Sequence, residues 1–284
     1  MLVVPIIGGL GNQMYGYALY RTLLERGRDV YMDISFYNHQ NNPLIDFREY
    51  ELSRVFNITE RLFNRKSLKF FMLRVLRKLH LGFKGYTEKG YYYQPEVFDV
   101  KSGFFNGYWQ SFKYSAEIEN ILRKEFTFKI VPTGEAAELL DKVRNCNSVS
   151  MSIRRGDYVK LSHIHKVLHV DYYINAIRYI QERVSNAKFF CTSDDINWCE
   201  NTYGGRGYDI HFVKCPSDNN SYDMQLISQC KHNIIANSTF SIWGAWLNQN
   251  PEKIVIRPEK FFSDGGPCSE HKDLWPEDWI SIPS

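Results

Sequence analysis

The chain has 284 residues, 44% of them hydrophobic and 24% charged, and a net charge of +3. This length can support one large core or two medium ones, and the mild charge argues against a nucleic-acid binder. No apolar run approaches the ~18 residues that span a bilayer, and the opening apolar segment before Gly8 is too short for a signal peptide.

The six cysteines lack Cys-x-x-Cys spacing and read as reduced thiols rather than metal ligands, consistent with an expected cytoplasmic location. Residues 2–7 are apolar and β-branched and predict a buried strand. Gly8-Gly9-Leu10-Gly11 then leads into a helix from Asn12 to about Arg26, which Gly27 stops. Asp29–Asp33 reads as a second strand, completing a β-loop-α-β unit of the kind that starts a parallel sheet. Residues 60–80 read as a basic helix, 82–112 as irregular Gly- and Tyr-rich chain, and 114–126 as helix again. Another helix runs from Pro132-Thr133-Gly134 to about Arg144.

The second half repeats the βα rhythm. Strands are expected at 148–153, 188–192, 233–236 and 253–257, with helices at about Asp171–Val184, near 222–230, and from Thr239 to Leu247. The fold class is α/β, with a boundary in the region 128–148 that divides the chain into domains 1–140 and 141–284. Several polar clusters fall just after expected strands, the edge at which open α/β sheets bind ligands.

Four segments could carry chemistry. Arg154-Arg155-Gly156-Asp157 follows a strand, where two guanidinium groups can fork onto a diphosphate. The alternative is a surface loop with an internal Arg–Asp pair. In Ser193-Asp194-Asp195, Ser193 or Asp194 reads as the cap of the next helix, and the chain contains no Asp-x-Asp spacing for a metal. Ser238, Thr239 and Ser241 open a helix after a buried strand, where amides and dipole favour an anion, or form an ordinary cap. Asp223 could accept the paired N–H bonds of a guanine edge or cap its own helix. The fourth segment, Gly8–Gln13, is an imperfect dinucleotide fingerprint: Met14 stands where the third glycine belongs, and Asp33 stands where a ribose carboxylate would.

Together these segments resemble the α-1,2-fucosyltransferases of glycosyltransferase family 11. That family carries, in this order, segments matching Gly8–Gln13, Ser152–Tyr158, Ser193–Asp195 and Asn237–Trp243 here. Gly107–Ser111 and Asp171–Tyr173 also fit. The resemblance implies a GT-B-like pair of Rossmann-like domains with parallel sheets facing a central cleft. It implies inversion at the anomeric carbon, no required metal and no cofactor beyond the donor substrate, GDP-fucose. It further implies that Arg154 holds the β-phosphate and that Asp223 reads guanine. Thr239 and Ser241 match the phosphate-side helix start, and Asn12 faces the donor. Three positions depart from the pattern: Ser152 replaces the motif histidine, Ile242 the first tryptophan of a pair, and Lys166 the glycine beside His165.

The expected activity moves L-fucose to the 2-hydroxyl of a galactose-terminated oligosaccharide or lipid-linked glycan, as in O-antigen synthesis. The donor site would comprise Asn12, Arg154, Arg155, Asp223, Ser238, Thr239 and Ser241. Asp157 and His165 are the candidates for a base. Arg61–Lys84 holds eight basic residues and no acidic one. It reads as a solvated helix face or as a peripheral contact with an anionic inner membrane. Two rival functions remain: an NAD-dependent oxidoreductase, resting on Gly9-x-Gly11 and Asp33, and a non-catalytic sugar-binding module.

Overall fold

The computed structural model describes residues 1–38, 48–64, 67, 71, 75, 85–214, 221–264 and 273–284. The chain divides into two units. The first is Met1–Lys129 with Glu270–Pro276, and the second is Ile130–Ser269 with Glu277–Ser284.

In the first unit, β1 (Leu2–Pro5) leads into α1 (Leu10–Glu25) and β2 (Val30–Asp33). The turn between β1 and α1 needs Gly8, whose φ is +75° and whose added Cβ would lie 2.8 Å from Asn12 Nδ2. Gly16 lets α1 pack closely on β1, since a Cβ there would meet the Pro5 carbonyl oxygen at 3.1 Å. Three short elements follow: α2 (Leu52–Val55), β3 (Tyr86–Thr87) and β4 (Gly103–Asn106). Next comes α3 (Glu119–Glu125), preceded by 3-10 turns from Phe112 to Ile118 rather than by continuous helix. The sheet order is β2-β1-β4-β3, all parallel.

Two expectations for this unit are corrected. The stretch 82–112 contains two strands, and β4 pairs with the first strand of the chain. Four residues rich in phenylalanine, glycine and asparagine give too little alternation to announce a strand. Arg61–Phe63 is extended, not helical. The Arg61 carbonyl accepts the Met32 amide at 2.9 Å, and the Phe63 amide donates to the Met32 carbonyl at 2.8 Å. The rest of the basic run lies mostly outside the described residues.

The second unit begins with α4 (Glu135–Arg144), β5 (Ser148–Ile153), α5 (Gly156–Lys160) and α6 (Val170–Gln181). It continues with β6 (Lys188–Ser193), α7 (Ile196–Tyr203) and β7 (Ile210–Phe212), then α8 (Ser221–Gln229), β8 (His232–Ile234) and α9 (Thr239–Leu247). It ends with β9 (Val255–Pro258) and β10 (Ile280–Ile282). The sheet order is β10-β9-β8-β5-β6-β7, again all parallel. The break at Lys129/Ile130 keeps α4 whole in this unit, where the sequence boundary at 140/141 would have cut it. Leu140 and Val143 of α4 pack with Phe190, Tyr222, Leu226 and Cys230.

β5 is buried along its length. Val149, Met151 and Ile153 join a core with Tyr172, Tyr173, Ile177 and Ile180 of α6. The alternate positions are serines. Ser148 Oγ accepts the Lys231 amide at 3.0 Å, and Ser150 Oγ accepts from Asn233 Nδ2 at 2.8 Å. No described helix is long and apolar enough to cross a membrane.

Helix α9 packs on α8 with Gly244 against Ile227; a Cβ at Gly244 would lie 2.6 Å from Ile227 Cγ2. Overpacking costs ~1–3 kcal/mol, and better helix propensity returns up to ~1 kcal/mol. Gly244→Ala should therefore lower the stability of this unit by ~1–2 kcal/mol in urea unfolding. An unchanged or raised midpoint would show that Ile227 yields without cost.

Candidate functional site

The register of β5 against β6 places Ile153 opposite Ser193. The residues just beyond, Arg154 and Asp194, therefore leave neighbouring parallel strands at the same edge. Arg154 Nη1 lies 3.0 Å from Asp194 Oδ2, and its Nη2 lies 2.7 Å from Asp157 Oδ1 in the first turn of α5. Burial works against the guanidinium charge, but Asp194 and Asp157 outweigh it and raise the pKa of Arg154. Asp194 also accepts the Arg155 amide at 2.8 Å. Its carboxylate sits so close to the loop that a Cβ on Gly156 would lie 2.8 Å from Oδ2, so the Arg-Arg-Gly-Asp sequence needs its glycine for this approach.

The segment after β6 caps the next helix as expected, but its two acids divide the work. Asp195 is the N-cap of α7, accepting the Trp198 amide at 3.2 Å, and Ser193 Oγ accepts the Asp195 amide at 3.0 Å. Asp194 is the arginine partner, a role its sequence position did not reveal. Arg155 turns toward α7: its guanidinium lies 3.7 Å from the Trp198 ring centroid, with Nε 3.5 Å from Asp195.

Tyr158 joins the other parts of this edge. Its buried hydroxyl donates to the Asn237 carbonyl at 2.9 Å, and burial raises its pKa well beyond the ordinary phenol value. The His165 ring stacks on Tyr158 at 4.3 Å and 10°, and the Arg154 guanidinium lies 5.6 Å from the same ring. Asn237 Nδ2 donates to the carbonyls of Lys166 (2.8 Å) and Phe261 (2.7 Å), fastening the His165 loop to the end of β8. Arg154, Asp157, His165 and the start of α9 are therefore gathered at one sheet edge. Burial lowers the pKa of His165, against an opposing pull from Asp157, so the imidazole is neutral near pH 7 and able to accept a proton.

Ser238 and Thr239 are half-buried at the N-terminus of α9, and the Ser238 side chain makes no capping bond. Ser241 is 2% exposed, and its hydroxyl donates toward the Ala236 and Ser238 carbonyls at 3.1 and 3.0 Å, so it stabilises the turn at the start of α9. Asp223 sits half-buried in the first turn of α8. Ser152 is buried, and its hydroxyl has no hydrogen-bond partner among the described residues.

The first unit has its own polar edge, where β1, β3 and β4 end. Asn12 Oδ1 accepts from Gln110 Nε2 at 2.9 Å, tying the glycine loop to the loop after β4. Glu88, directly after β3, accepts the amides of Tyr108 (2.7 Å) and Trp109 (3.1 Å). Sequence reasoning missed Glu88 and gave Gln110 no role beyond its place in the Gly107–Ser111 segment, since their partners lie on other loops. Asp33, the carboxylate behind the nicotinamide-nucleotide reading, is 6% exposed and accepts the Ser35 amide at 3.0 Å.

Burial pushes the Glu88 carboxyl up to about 7, although the two amides pull it down. A carboxyl whose folded pKa lies above its unfolded value contributes stability at low pH, lost as pH rises through the folded pKa. Between about pH 5 and about pH 8, Glu88→Gln should therefore lose less thermal stability than the parent protein. A difference between the two proteins that stays constant over that range would contradict this.

The profile of glycosyl transferase family 11 matches residues 2–282. An Escherichia coli α-1,2-colitosyltransferase is 34% identical, with 99% of each chain covered. The Escherichia coli O-antigen biosynthesis glycosyltransferase WbnK is 32% identical, covering 94% of this chain and 97% of the relative. Rat (Rattus norvegicus) galactoside α-(1,2)-fucosyltransferase 2 is 28% identical over 87% of this chain and 67% of its own length. Among solved structures, a variant of Arabidopsis thaliana FUT1 in complex with GDP superposes with a TM-score of 0.51 at 13% identity, covering 97% of this chain and 75% of that one. The two parallel-sheet units thus form a GT-B-like α/β fold, and the chain belongs to glycosyltransferase family 11.

Proposed function

We propose that the chain is an inverting α-1,2-fucosyltransferase that moves L-fucose from GDP-fucose to the 2-hydroxyl of a terminal galactoside, without a required metal. The acceptor would be a galactose-terminated oligosaccharide or lipid-linked glycan of O-antigen type. The observation that carries the reading is Arg154, fixed between Asp157 and Asp194 at the carboxyl end of β5 in a family 11 chain. The activities for which the relatives are named support the linkage and the acceptor class.

In this reading the second unit binds the nucleotide and the first binds the acceptor. As the bond between fucose and the diphosphate breaks, negative charge grows on the leaving phosphate. Arg154 has five N–H donors, two of them directed at carboxylates, which leaves three for phosphate oxygens. The carboxylates fix the guanidinium beforehand, so little reorganisation accompanies the charge shift. The local balance is net negative: Arg154 and Arg155 supply two positive charges against three negative ones from Asp157, Asp194 and Asp195. The amides at the start of α9, beside Ser238 and Thr239, supply the remaining attraction, and Asp223 contacts the guanine. Asp157 or the neutral His165 accepts the acceptor's proton.

A second reading of the donor is favoured by one observation: the 34% identical Escherichia coli relative is a colitosyltransferase. In it the transferred sugar is colitose, with the site and linkage unchanged.

Incubation of the protein with phenyl β-galactoside and either GDP-fucose or GDP-colitose, in EDTA, decides between these. We expect a product carrying fucose on the galactose 2-oxygen by NMR. Product from GDP-colitose alone would establish the second reading, and no product from either donor would refute both. Arg154→Ala should lower the transfer rate by at least ~100-fold with the fold retained. Turnover near that of the parent protein would remove Arg154 from the phosphate site.

A further inference from the structure

We propose that Tyr108, stacked with Tyr91 at the carboxyl edge of the first sheet, is the platform on which the acceptor's sugar ring rests, with Glu88 as the positioning residue behind it. This rests on the galactoside-transferring reading above and adds the acceptor subsite to it.

Trp109 has φ +58°, a left-handed conformation that a bulky residue adopts only when its surroundings enforce it. The surroundings are visible. The indole is 1% exposed and packs edge-on against Phe105 (5.6 Å) and Tyr114 (6.0 Å). Glu88 accepts both the Tyr108 and Trp109 amides. At Gly107 a Cβ would come within 2.5 Å of the Glu88 side chain, so the loop follows that carboxylate as closely as backbone can.

The consequence falls on Tyr108. With Trp109 driven inward, the preceding side chain is turned out: Tyr108 is 38% exposed, its ring 6.2 Å from that of Tyr91 at 21°. Two near-parallel phenols carry no charge to attract a diphosphate. They do offer a flat apolar face rimmed by hydroxyls, which matches the C–H face and hydroxyl edge of a galactose ring. The platform belongs to the edge where Gln110, two residues on, holds Asn12 of the glycine loop.

The test is steady-state kinetics with phenyl β-galactoside and GDP-fucose. Tyr108→Ala should raise the acceptor KM at least ~10-fold while leaving the donor KM and thermal midpoint within about twofold and ~2 °C of the parent protein. Tyr108→Phe, which keeps the ring, should recover most of the lost acceptor affinity. An acceptor KM that moves less than about twofold in Tyr108→Ala, or a donor KM that rises equally, would overturn the platform. If the parent protein transfers nothing to the galactoside, the functional reading fails first and the platform falls with it; that failure shows before any variant is made.

Discussion

The arrangement at the second sheet's edge depends on one pairing: β5 beside β6, parallel, with Ile153 opposite Ser193. Because both strands end at the same level, the next residue on each, Arg154 and Asp194, meets its neighbour across the strand gap. A slip of one residue would put the arginine against Ser193 or Asp195 and turn alternate β5 side chains toward the wrong face. The pattern along β5 resists such a slip. Val149, Met151 and Ile153 face the α6 core, while Ser148 and Ser150 are engaged by Lys231 and Asn233.

From that register the rest follows in steps. Asp194 is brought against the loop, which requires glycine at 156. α5 starts at once, and its first turn delivers Asp157 to the other side of the guanidinium. The next residue, Tyr158, points inward, bonds the Asn237 carbonyl beyond β8 and carries the His165 ring. A guanidinium held by two carboxylates beside an aromatic face is a charge kept in place against the pull of burial, as a site that must meet a growing negative charge requires. The first unit solves a different problem at its own edge: an uncharged aromatic surface is presented by forcing a tryptophan into an unfavourable backbone state.

The parallel-sheet rhythm of the second half was legible in the sequence, because long apolar strands alternate there with amphipathic helices and each polar motif follows a strand. Arg154, Asp157 and Tyr158 were legible as a motif for the same reason. Their partners were not. Asp194 stands next to Asp195, and nothing local distinguishes the capping carboxylate from the one that reaches across the sheet. Ser241 lies among hydroxyls at a helix start, and only its rotamer shows that it serves the Ala236 carbonyl. Glu88 precedes the loop it holds by about twenty residues, so its task exists only once β3 and β4 pair. The short strands β3, β7 and β10 were invisible because two or three residues carry no period; partners already in the sheet define them.

On the proposed reading, the second unit's arginine edge is a guanosine diphosphate site. Isothermal titration of the parent protein with GDP in EDTA, and with NAD in parallel, tests it most directly. Saturable binding of GDP that persists in the chelator, and none of NAD, is the expected result. Binding of NAD, or no heat with GDP at any concentration up to the millimolar range, would contradict it.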